Sequence, residues 1–212
     1  MQIDIVSDTV CPWCFIGKRR LERALAERPD RTFSVTWRPF RLDPTVPPEG
    51  YDRKEYMKAK FGDGERLRGM SDALSQAGAG EGIAFDFEAQ ARRPDTLDSH
   101  RLIRWAASAG VQDAVVEKLF RAYFEEGKDI GDAAVLTGIA ADAGMDVALV
   151  SDLLARGADR ELVAREDDMA HRVGISGVPT FIFANKYAIS GAQDPATLVK
   201  VIDKVTAELP SA

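Results

Sequence analysis

The chain has 212 residues, of which 45% are apolar and 29% charged, with a formal net charge of -6. That charge argues against the clustered positive footprint of a nucleic-acid binder, and no apolar run approaches the length of a membrane span. The length is enough for one good core, or one core with an appended subdomain.

The first segment reads strand, helix, strand. Gln2 to Ser7 alternates apolar and polar residues, Cys11-Pro12-Trp13-Cys14 follows, and Phe15 to Leu21 is a helical pattern. The two cysteines are the only ones in the chain. Cys11 falls near an N-cap, and Pro12 suits the first helical turn, where its missing N–H costs nothing. A sulfur there sees unpaired backbone N–H groups and the positive end of the helix dipole, and both favour a thiolate. A C-x-x-C pair after a strand reads as a redox motif. Thr32 to Trp37 forms the second strand, with Phe33, Val35 and Trp37 on one face, and Pro39, Pro44, Pro47 and Pro48 end strand character. The N-terminus enters a strand without a basic segment or an apolar leader core, so the expected compartment is the cytoplasm, where a cysteine pair is more often catalytic than structural.

The middle, about residues 50–155, reads as helical. The expected helices are Tyr51 to Phe61, Glu65 to Gln76, one starting at Asp95-Thr96, Asp113 to Phe124 and Asp132 to Ala143. Ala77 to Gly82 reads as a plain linker, since it lacks the spacing of a phosphate loop. Phe85 and Phe87 suggest a short extended piece. The last segment holds a helix from about Ala158 to Arg172. Strands Thr180–Phe183 and Tyr187–Ile189 follow, joined at Asn185-Lys186, and a helix runs from Asp194-Pro195 through Leu209. The expected class is α/β: a thioredoxin-like fold, a mixed four-stranded sheet with flanking helices, carrying a large all-helical insertion. Its thioredoxin-like part covers 1–43 and 157–212, and the insertion covers 44–156.

Other polar groups have two readings each. Trp13 either stacks on substrate or covers the apolar rim. Lys18, Arg19 and Arg20 either raise the local potential around Cys11 or, as such runs more often do, form a solvated helix face. His100 either approaches the site from the insertion or is a structural histidine. His171 ends a helix, and Glu166-Asp167-Asp168 reads as surface. Two cysteines and two distant histidines lack zinc-site spacing, so no metal site is expected.

Four motifs carry a family resemblance. They are Ser7-Asp8-x-x-Cys11-Pro12-Trp13-Cys14-x-x-Gly17-Lys18, Arg93-Pro94-Asp95-Thr96-x-x-Ser99-His100-Arg101, Gly174-Ile175-x-Gly177-Val178-Pro179-Thr180-Phe181 and Ser190-Gly191-Ala192-Gln193. Together they resemble the DsbA family of thiol–disulfide oxidoreductases, in its FrnE-like branch. Relatives commonly show Asn where Asp95 stands and Ala where Ser99 stands. The resemblance implies a cis peptide before Pro179, facing Cys11, with Val178 open to an incoming peptide. The expected roles are Cys11 as the attacking, exposed thiolate and Cys14 as the resolving thiol, with Pro12, Trp13, Val178, Pro179 and His100 as candidate substrate contacts. The implied partner is a thiol- or disulfide-containing protein or small molecule, with an unidentified redox partner, no nucleic acid and no membrane, in a monomer or homodimer. No cofactor is expected to be bound, and glutathione is a candidate thiol co-substrate. The 2-hydroxychromene-2-carboxylate isomerases and kappa-class glutathione transferases share the architecture, with serine where Cys11 stands. A glutathione-dependent isomerase or transferase is therefore the rival reading.

Overall fold

The computed structural model describes residues 1–62 and 64–208. Strand β1 (Gln2–Ser7) is buried from Ile3 onward, and helix α1 (Pro12–Ala26) returns the chain to β2 (Ser34–Pro39), parallel to β1. Parallel neighbours need such a crossover. Between β2 and the second half of the sheet lie β3 (Tyr51–Asp52), α2 (Arg53–Phe61), α3 (Glu65–Ala79), β4 (Arg92–Arg93), α4 (Leu97–Ser108), α5 (Gln112–Phe124), α6 (Ala133–Asp142), α7 (Val147–Ala155) and α8 (Arg160–Arg172). Strands β5 (Thr180–Phe183) and β6 (Tyr187–Ser190) then form a hairpin, and α9 (Pro195–Glu208) closes the described chain. Leu209, expected in that helix, lies outside the described residues.

The sheet order is β2-β1-β5-β6, with β1–β5 and β5–β6 antiparallel. This is the expected thioredoxin-like, mixed four-stranded sheet with helices between its halves. Its inner face is Ile3, Ile5, Phe181 and Phe183, each at most 1% exposed, and α1 covers it with α9 behind. Fully burying such a side chain contributes about 1.5–3 kcal/mol. The helical region joins the same core: Phe15 of α1 stacks on Phe120 of α5 at 5.1 Å and meets Phe85 edge-on at 6.2 Å.

Several local expectations shift. Strand β2 begins and ends two residues later than Thr32–Trp37. The hairpin turn centres on Ala184-Asn185, both at positive φ, with Lys186 N–H donating to Phe183 O at 3.0 Å. Helix α3 runs through Ala79, so Ala77 to Gly82 is only partly a loop. Gly78 is helical, and a Cβ there would stand 2.5 Å from the Phe85 ring, so close ring packing excludes a side chain. Phe85 and Phe87 make no strand; they stack on each other at 5.1 Å.

Candidate active site

Strand β1 ends at Ser7, and the chain turns so that Cys11 N–H donates to Asp8 O at 3.0 Å. Cys11 then takes the N-cap of α1, with extended backbone, and Pro12 follows in the first turn. Cys14 is one turn in, its N–H donating to Cys11 O at 3.0 Å. Both cysteines are free thiols and approach to 3.4 Å. Across from them the Val178–Pro179 peptide is cis, and Cys11 Sγ lies 3.6 Å from Val178 O. Helix α1 can come this close because residue 17 is glycine: a Cβ there would stand 2.8 Å from Pro179 Cγ.

The expected exposure of Cys11 is corrected. Cys11 is only 4% exposed and Cys14 fully buried, because Val178 and the helical region wall the site. Access runs through a cavity of about 370 Å³ that Cys11 lines. Pro12, Trp13 and Val178 also line it, with Trp13 exposed at the rim. Pro179 is buried behind Val178. His100 does not line the cavity. It is buried behind Asp8, its Nε2 3.2 Å from Phe40 O and 3.5 Å from Asp8 Oδ1.

Electrostatics separate the groups near the cysteines. Burial pushes the Cys14 thiol well up, and the neighbouring Cys11 sulfur and the Asp8 charge add to the rise. Burial opposes the Asp8 carboxylate too, yet His100, the Arg93 guanidinium and the Leu42 N–H hold its pKa below the ordinary value. Asp8 Oδ2 accepts from Leu42 N–H at 2.8 Å, while Oδ1 has no aligned donor among the described residues.

The second motif lies directly behind this turn. Ser99 Oγ bonds Thr9 Oγ1 at 2.8 Å, and buried Arg101 reaches Asp98 and Leu153 O. The motif thus docks α4 against the loop that carries Cys11. Lys18 is no solvated residue: it is 3% exposed between Asp113 at 3.1 Å and Glu117 at 3.3 Å. Asp167 is likewise no surface acid. It is fully buried, accepting from Arg41 N–H at 2.7 Å and Nε at 2.8 Å. His171 stacks on Phe40 at 4.2 Å, away from the cysteines. Sequence reasoning missed Arg53, Gln90 and Arg93 as cavity residues. Arg93 stands in a singled-out motif, but nothing local shows that it faces Cys11.

The sheet, the inserted helices and the cysteines at the first helix define a thioredoxin-like protein with a helical insertion. The chain belongs to the DSBA-like thioredoxin domain family, which it matches over residues 2–203. It is similar to the crystal structure of a probable DsbA oxidoreductase from Streptomyces coelicolor, at 31% identity and a TM-score of 0.91, covering 100% of this chain and 92% of that one. It is 27% identical to the uncharacterized protein YwbO of Bacillus subtilis, over 95% of this chain and 96% of that protein. A 2-hydroxychromene-2-carboxylate isomerase, 18% identical, shares the fold over the whole of both chains at a TM-score of 0.74. These likenesses support an oxidoreductase or related enzyme. No described helix is long and apolar enough to cross a membrane.

Proposed function

We propose that the chain is a cytoplasmic thiol–disulfide oxidoreductase working through Cys11 and Cys14. One observation carries the reading: Cys14 is buried, its thiol held protonated, beside a Cys11 that faces a cavity. Such a pair divides the labour of exchange. Cys11, as thiolate, attacks one sulfur of a substrate disulfide; the substrate S–S bond breaks and one thiol leaves with a proton. Cys14 then gives up its proton and attacks the Cys11 sulfur of the mixed disulfide, and the second substrate thiol leaves. The protein dithiol is oxidised by two electrons and the substrate disulfide reduced by two. The reverse sequence oxidises a dithiol, and the reduction potential sets the direction. Pro12, Trp13 and Val178 contact the substrate at the cavity mouth, and Pro179 backs Val178. His100, placed behind Asp8, acts on the site only through that carboxylate. Glutathione is a small thiol co-substrate in this reading, and nothing needs to be permanently bound.

The test is equilibration in mixtures of reduced and oxidised glutathione, with free thiols alkylated and counted by mass. One two-electron transition forming a Cys11–Cys14 disulfide is expected, and Cys14→Ser is expected to trap Cys11 as a mixed disulfide. No intramolecular disulfide at any poise overturns the proposal. A glutathione-dependent isomerisation that survives Cys14→Ser favours the isomerase reading instead.

A further inference from the structure

The cavity beside Cys11 has two unmet needs. Most of its wall is apolar, including Met57, Phe61, Leu67, Met70, Leu74 and Phe87. The charged side chains that line it are Arg53, Lys60 and Arg93, and no acidic residue lines it among the described residues. Arg93 is 6% exposed; its guanidinium lies 5.4 Å over the Tyr56 ring and Nη1 donates to Pro94 O at 2.6 Å. Arg53 donates to Phe87 O at 3.1 Å. Among the described residues, neither arginine has a carboxylate within ion-pair distance; Arg93 feels the buried Asp8 charge only at longer range, and Arg53 also bonds the Tyr123 side chain. Lys60 is shared with Asp43 at 3.6 Å. A buried guanidinium without a contacting anion is unfavourable until one arrives. The second need belongs to Gln90, which is 5% exposed. Its Nε2 donates to Tyr123 O at 3.1 Å, which fixes the amide and leaves Oε1 buried without a donor. Buried polar atoms are seldom left so.

We propose that this cavity selects, as the thiol or disulfide partner of Cys11, a compact small-molecule anion: an apolar, aromatic body bearing a carboxylate and a hydrogen-bond donor. The inference rests on the oxidoreductase reading and names its substrate class. The carboxylate pairs with the arginine side of the cavity, where a planar guanidinium can grip it with two parallel bonds. The donor meets Gln90 Oε1, and the body lies on the methionine and phenylalanine wall. The cavity is of ordinary small-ligand size, and Cys11 is only 4% exposed within it.

The experiment has two readouts. The first is the rate at which the reduced protein is oxidised by dithiobis(nitrobenzoate), an anionic aromatic disulfide, and by neutral dithiodipyridine, each normalised to its rate with the uncharged thiol 2-mercaptoethanol. Each reaction forms the Cys11 mixed disulfide and releases one aromatic thiol; Cys14 then releases the second. The normalised preference for the anion is expected to be at least about tenfold and to shrink with added salt. It is expected to collapse towards unity in Arg53→Gln and in Arg93→Gln. Arg53 is partly exposed, so its variant decides the matter if buried Arg93→Gln fails to fold. Equal normalised rates for the two reagents overturn the inference and leave the cysteine chemistry standing. The second readout needs no redox chemistry: calorimetric binding of naphthoate against naphthamide. Naphthoate is expected to bind at least about tenfold more tightly, and equal affinity overturns the inference. Failure of both disulfides to oxidise the protein, with naphthoate still preferred, refutes the oxidoreductase reading while supporting the anion-selective cavity.

Discussion

Replacing Lys18 by Met keeps the length of the side chain and removes the ammonium at the seam between α1 and α5. That ammonium is 3% exposed and meets Glu22, Asp113 and Glu117, whose side chains are 42%, 59% and 21% exposed. Burial works against the Lys18 charge, but Asp113, Glu22 and Glu117 outweigh it and raise its pKa above 10.5. Removing one partner of a fully buried pair costs about 3–5 kcal/mol. Here the carboxylates are partly open to water, which screens what is left, so the expected loss is about 2 kcal/mol. The control is Arg156→Met, where both partners are at least 60% exposed; its expected loss is under about 0.5 kcal/mol. Urea unfolding at neutral pH measures both, as a lowered midpoint with unchanged slope. The pH dependence has a definite sign. The folded pKa of Lys18 is raised, so its stabilisation is complete below about 10.5 and fades as pH rises through the raised value. The gap between wild type and variant therefore narrows only in strong alkali. A Lys18→Met loss no larger than that of Arg156→Met would refute the reasoning.

Three further outcomes follow from single contacts. Asp167→Ala leaves the Arg41 N–H and guanidinium without their buried acceptor and should cost about 2–4 kcal/mol in denaturant unfolding; a loss within experimental error contradicts the contact. Gly17→Ala pushes a methyl against Pro179 and Phe181. Overpacking of about 1–3 kcal/mol exceeds the helix gain of about 1 kcal/mol, so a net loss near 1 kcal/mol is expected, with altered exchange rates at Cys11; a stabilised variant contradicts the close approach. Burial opposes the Asp43 carboxylate, but Thr45, Tyr56 and Lys60 hold its pKa down to about 2. Its folded pKa is depressed from 3.8, so its stabilisation is present above about pH 4 and lost as pH falls to about 2. Unfolding midpoints of wild type and Asp43→Asn should converge across that window, with a gap of about 1–2 kcal/mol above it.

What the sequence revealed was local. Alternation in Gln2–Ser7, Pro12 after Cys11, and the paired runs of the hairpin state their own structure within a few residues. Helix α7 was missed although Val147, Val150 and Leu154 recur at helical spacing; it is only nine residues long, and Val147 and Leu149 are exposed. A second local signal is Asp146, which caps the Leu149 N–H. Strands β3 and β4 are two residues each, below any periodicity. Lys18 read as solvated because two of its three anions come from α5, almost a hundred residues away. The cavity was invisible for the same reason: Trp13, Gln90 and Val178 belong to distant segments, and only the fold makes them neighbours. The cysteines themselves were legible, but their burial was not, since the wall that hides them is built by other parts of the chain.

Cys11 and Val178 face each other across 167 positions of sequence. During synthesis at about 5–20 residues per second, Cys11 is made some 8–33 s before the residue that walls it. For that interval the growing chain carries both sulfurs with no pocket to choose what reaches them. Selectivity is thus acquired late, whereas the bare dithiol is present almost from the start. The wall is complete only once Val178 has been made and β5, which follows it, pairs with β1.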